Sequence, residues 1–128
     1  MKNVTTRGFA YDPIAELVRV NPVPSIIMDM QTLTVALVNQ AVLALLGYSE
    51  DELVGHLITD FVPHEDVAAV EKAADEPPPE GETQWRCFRK DGAIVYVKLR
   101  YRETVYQGKR ARFVVAAESR LTPFGEKQ

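Results

Sequence analysis

The sequence predicts an α+β domain: an antiparallel sheet with short helices packed on one side of it. Three observations lead there. In the last third of the chain, residues 83–89, 93–106 and 109–118 are strand-like, and Asp91-Gly92 and Gln107-Gly108 separate them, turn pairs that favour hairpins. In the middle, residues 39–74 change to helical spacing and carry several cap signals. Two short β-branched runs precede that helical stretch, and no internal repeat is present.

With 128 residues, 46% of them hydrophobic and 26% charged, the chain has the composition of a single globular domain. Disorder, collagen-like repeats and coiled coil are excluded. A chain of this size buries roughly two thirds of the surface its unfolded form exposes, so neither a metal nor a disulfide is required for folding. The net charge is -3 and no Lys/Arg run exceeds a pair, so direct nucleic-acid binding is not expected. Cys87 is the single cysteine and the first residues lack an apolar leader, which points to a reducing, cytoplasmic setting. The apolar runs are shorter than the ~20 residues of a membrane span.

Taken in order, Asp12-Pro13 followed by Ile14, Leu17 and Val18 reads as a capped amphipathic helix over residues 13–20. Asn21-Pro22-Val23-Pro24 stops it. Residues 25–30 and 34–38 read as two antiparallel strands. Val42, Leu45 and Leu46 share a helical face that Gly47 closes. Ser49 and Glu52 form a capping box, with Tyr48 and Leu53 as its hydrophobic staple. Residues 57–62 suggest a single turn, and Pro63 opens a longer helix to about Ala74, with Val67, Val70 and Ala74 inward. Residues 75–82, with three consecutive prolines, form a loop. In the strand that follows the Asp91-Gly92 turn, alternation sends Val95, Val97, Leu99 and Tyr101 to one face and Tyr96, Lys98, Arg100 and Arg102 to the other. The division expected is a tail at 1–12, a domain at 13–120 and a tail at 121–128.

The segments VNQAVLALLGYSEDELVGH, VPHED and RKDGAIVYVKL, at their separations here, resemble a PAS domain of the bacterial sensor type. The resemblance covers residues 14–118. It implies a five-stranded sheet in order 2-1-5-4-3 closing a cavity against the helices, and structural roles for Asn39, Gly47, Tyr48, Glu52, Gly55, Asp91 and Gly92. After the last strand the chain departs from the family's Asp-Ile-Thr ending with Glu118-Ser119-Arg120-Leu121-Thr122-Pro123, and Pro123 interrupts any continuous signalling helix.

The same resemblance implies the cofactor expectation, which is none. Where flavin-binding members carry a reactive cysteine, this chain reads His56-Leu57-Ile58-Thr59-Asp60-Phe61. Where haem-binding members carry an axial histidine it has Val70, with His64 one to two turns earlier. His56 and His64 have no cysteine near them, which is poor metal spacing. No nucleophile motif is present, so neither catalytic nor metal residues are assigned. Glu65-Asp66 suits a helix N-terminus.

Alternation and alignment nominate Ile26, Met28, Val42, Phe61, Val67, Val70, Trp85, Cys87, Val97 and Leu99 as the lining of a ligand cavity. The ligand expected is small, organic and apolar. A homodimer interface is expected from the N-terminal helix (Ile14, Leu17, Val18) and the outer sheet face (Ile27, Tyr96, Val114). The expected function is a non-enzymatic sensor controlling a histidine kinase, cyclase or transcription regulator. A ligand-free interaction module is the alternative. A small cone-fold enzyme is the remote one, for which Tyr101 is the inward polar candidate.

Overall fold

The computed structural model describes residues 12–77 and 81–125. Most of the expected N-terminal tail, the end of the C-terminal one and the centre of the proline loop lie outside the described residues. Helix α1 (Pro13–Val20) begins at Asp12, whose carboxylate accepts from the Ile14 and Ala15 amides. Strands β1 (Ser25–Asp29) and β2 (Thr34–Val38) form a hairpin. Helices α2 (Gln40–Leu46) and α3 (Glu50–Leu53), two 3-10 turns (Ile58–Phe61 and His64–Asp66) and helix α4 (Val67–Asp75) follow. The chain then returns as β3 (Glu82–Phe88), β4 (Ile94–Tyr106) and β5 (Lys109–Arg120). All pairings are antiparallel, and the sheet order is β2-β1-β5-β4-β3, as the sequence predicts. The last strand runs two residues further than expected. The helix expected from Pro63 starts at Val67, because its first turn winds as 3-10.

The sheet is covered on both faces. On the outer face, Ala15 and Val18 of α1 pack on Ile27, Leu37 and Ala111, with Ile14 and Phe113 at the margin. On the inner face, α2, α3 and the 3-10 turns bury Val35, Val38, Val42, Leu53 and Phe61 together, while Ala74 of α4 meets Met28, Met30 and Val114. Gly47 ends α2 at φ +84, a left-handed conformation that costs glycine nothing. At Ser49 the capping box forms as expected, its Glu52 side chain accepting from the Ser49 amide.

Asn39 joins the two faces. Its Oδ1 accepts from the amides of Ser25 at 3.0 Å and Val42 at 3.1 Å, capping α2. Its Nδ2 donates to the carbonyls of Val18, Asn21 and Val23, where α1 ends. One buried side chain thus fixes how α1 leaves the outer face and how α2 starts on the inner one.

Candidate functional site

Side chains that leave the inner face of the sheet do not fill the space beneath the helices. A cavity of about 140 Å³ remains there. Its floor is the sheet: Ile26 and Met28 from β1, Val35 and Val38 from β2, Thr83, Trp85 and Cys87 from β3, and Val97, Leu99 and Tyr101 from β4. The strand β5 adds Arg112, Val114 and Ala116. Val42, Leu45 and Leu46 of α2, Leu53 of α3, Phe61 and Val62, and Val70, Ala73 and Ala74 of α4 form the roof. The lining is almost wholly hydrocarbon, and among the described residues Arg112 is its one charged member.

Nine of the ten residues expected in the lining are there. The exception is Val67, the first residue of α4, which is half-buried but off the cavity wall; the helix reaches the wall one turn later, through Val70. Expectations for the outer face need more correction. Val114 points into the cavity, because a bulge at Ala117 sets Lys98 against Glu118 but Leu99 against Ala116. That extra residue reverses the alternation on its N-terminal side. Val18 and Ile27, expected at a dimer interface, are 1% and 0% exposed because they bury each other within the chain. Ile14 is largely covered by the same packing. Leu17, 67% exposed, lies off that stripe with Val20. Tyr96 is half-buried on the outer face. Nearby, Phe124 folds back against Lys98 and Arg120, whose charged groups stand 5.1 and 4.4 Å from its ring centre.

Electrostatics within the wall follow from burial. Desolvation, with the Asp66 carboxylate as a lesser contributor, pushes the Cys87 thiol up to about 12, so it is an unreactive small hydrophobe at neutral pH. At Tyr101, burial raises the phenol above its ordinary value, with the Arg112 charge acting in the opposite direction. Arg112, only 7% exposed, is the charged lining residue that sequence reasoning missed. Its Nε donates to Glu103 at 2.6 Å, its Nη atoms reach the carbonyls of Ala73 and Ala74 at 3.3 and 3.4 Å, and its guanidinium lies 4.9 Å from the Tyr101 ring centre. A signal existed, since an arginine alternates with Ala111 and Phe113 in an otherwise apolar strand core.

At the far edge, Arg86 grips Asp66 with two bonds of 2.9 and 2.7 Å and reaches Glu65 at 3.3 Å, tying the start of α4 to β3. The Glu65-Asp66 pair is thus an anchor for this edge of the sheet. Among the described residues, no His/Cys/Asp/Glu group could hold a metal ion, and no helix is long and apolar enough to cross a membrane.

Comparison with known proteins places this architecture. The family model described as PAS fold matches residues 14–118. The PAS domain of an HTR-like protein from Haloarcula marismortui superposes with a TM-score of 0.67 at 23% identity, covering 84% of this chain and 87% of that one. A PAS domain from a two-component sensor histidine kinase gives 0.66 at 18% identity, covering 85% and 93%. A LOV protein from Rhodobacter sphaeroides gives 0.66 at 16% identity, covering 80% and 62%. Among curated proteins the comparison finds no match. With a sheet in the order 2-1-5-4-3, helices roofing a cavity and a family match over 105 of the 128 residues (14–118), the chain belongs to the PAS family.

Proposed function

We propose that this PAS domain senses a small, largely apolar molecule held in the cavity between sheet and helices, and passes its occupancy to a signalling output such as a kinase, cyclase or transcription regulator. The observation that carries this reading is the cavity of about 140 Å³ with an almost entirely aliphatic and aromatic lining. A well-packed interior leaves few voids larger than a water molecule. An apolar chamber of this volume is of the size that takes a benzene ring. That size, with no cysteine in residues 56–61, supports a ligand smaller than a flavin or a haem. The function proposed is therefore cofactor-free and non-enzymatic.

The route out of the site runs through Asn39. β1 supplies Ile26 and Met28 to the cavity wall and Ile27 to the packing under α1. Pressure on β1 is therefore felt by α1, whose end Asn39 holds. The outward side of α1 exposes Leu17 and Val20, and Val23 follows, which supports a homodimer formed through this helix. Native mass spectrometry of the purified domain tests both parts together. A dimer mass with a retained small molecule supports the reading; a monomer that takes up no apolar compound opposes it.

A further inference from the structure

The geometry points to a carboxylate as the polar group of the ligand: the site takes a compact aromatic or branched monocarboxylate whose apolar body fills the chamber and whose carboxylate binds Arg112. This deepens the sensor reading and rests on it.

Arg112 sits on the inner face of β5, opposite Met28 on one side and Glu103 on the other. Among the described residues it is the one charged side chain in the cavity wall, and it is almost fully buried. A guanidinium in such a place requires hydrogen-bonded partners of opposite charge. Its present counter-charge is Glu103, which binds only Nε, and the Glu103 side chain is 49% exposed. The two Nη atoms rest on the Ala73 and Ala74 carbonyls at 3.3 and 3.4 Å, longer than the roughly 2.7–3.2 Å usual for N–H···O bonds. These three bonds use three of the five N–H donors of a guanidinium. A planar carboxylate arriving from the chamber would offer the two-point match that arginine prefers. Glu103 can give way because its carboxylate already meets water. A neutral apolar ligand uses none of this, and an anion without a large apolar body leaves the hydrocarbon chamber unfilled. Because Arg112 also holds the last carbonyls of α4, capture of the carboxylate would alter the hold on that helix.

Benzoate and toluene are matched probes, since both present one ring and only one carries a carboxylate. Each is titrated calorimetrically into the wild-type domain, Arg112→Met and Glu103→Gln. Wild type is expected to bind both. Arg112→Met is expected to lose about tenfold or more in benzoate affinity while toluene binding persists. Glu103→Gln removes the competing carboxylate, so benzoate is expected to bind it several-fold tighter than wild type, and this variant decides the matter if Arg112→Met does not fold. Toluene binding without benzoate binding, or benzoate affinity indifferent to both substitutions, overturns the carboxylate assignment and leaves the apolar cavity standing. Binding of neither probe overturns both.

Discussion

Replacing Asn39 with alanine removes five hydrogen bonds at a side chain that is 2% exposed. Their loss is unequal. The Val42 amide keeps a bond to the Asn39 carbonyl, the Val18 carbonyl keeps the Asn21 amide, and the Val23 carbonyl keeps the Ser25 hydroxyl. The Ser25 amide and the Asn21 carbonyl lose their side-chain partner, at about 1–2 kcal/mol each, and loss of the α2 cap adds about 1 kcal/mol. The sum is roughly 3–5 kcal/mol, or a fall in Tm of about 10–20 °C for a domain of this size. Asn39→Asp sharpens the test. It keeps the acceptor for Val42 and Ser25 but turns a carboxylate oxygen toward three carbonyl oxygens, so it is expected to be less stable than Asn39→Ala at neutral pH despite its closer shape. Urea unfolding of both variants beside wild type measures the differences. A loss below about 1 kcal/mol in Asn39→Ala, or an Asn39→Asp as stable as wild type, would refute Asn39 as the junction between α1 and the cavity wall.

Two further outcomes follow from the buried and paired groups. The Cys87 thiol, raised to about 12 in the fold, is expected to react with a thiol reagent at pH 8 far more slowly than in urea; its protonation-linked stability is fully present below the unfolded thiol value near ~8.5 and lost as pH rises from there through about 12. Equal labelling rates in the two states would refute burial of the thiol. Arg86 holds the Asp66 carboxyl below its ordinary range, chiefly by hydrogen bonding; its stabilisation is present above the unfolded value near ~4 and lost as pH falls through the depressed one. Asp66→Asn is therefore expected to cost about 1 kcal/mol at neutral pH and to flatten the acid limb of the stability profile, and an unchanged acid limb would remove the pair from the account of this edge.

The sequence carried the fold further than it carried the faces. Period two, turn pairs and caps are local signals, and they located five strands and the main helices to within a few residues. The nominated lining residues on β1, β3 and β4 followed from alternation, with the family resemblance deciding which face turns inward. Val114 did not, because a single bulge residue at Ala117 changes which side chains face inward while leaving the local pattern intact. The α1 stripe failed for a similar reason: Ile14, Leu17 and Val18 fit helical spacing, yet Ala15 also packs inward and Leu17 stays outside. A small inward alanine gives almost no signal in a pattern of large apolar residues. Arg112 was missed because burial of a charge depends on Glu103 and on the end of α4, partners that come together only in the folded chain.

Toluene titration followed by the fluorescence of Trp85, the single tryptophan and a residue of the cavity wall, is the most direct test of a ligand-accepting chamber. Val114→Phe serves as the control, since its ring would occupy the same space. Overpacking a filled core costs about 1–3 kcal/mol, whereas a void accepts the added ring with little loss. The expected result is a saturable shift in the Trp85 emission of wild type, with a rise in Tm, and no response in a Val114→Phe variant that melts close to wild type. An unresponsive wild type together with a strongly destabilised Val114→Phe would contradict the chamber and leave a filled core in its place.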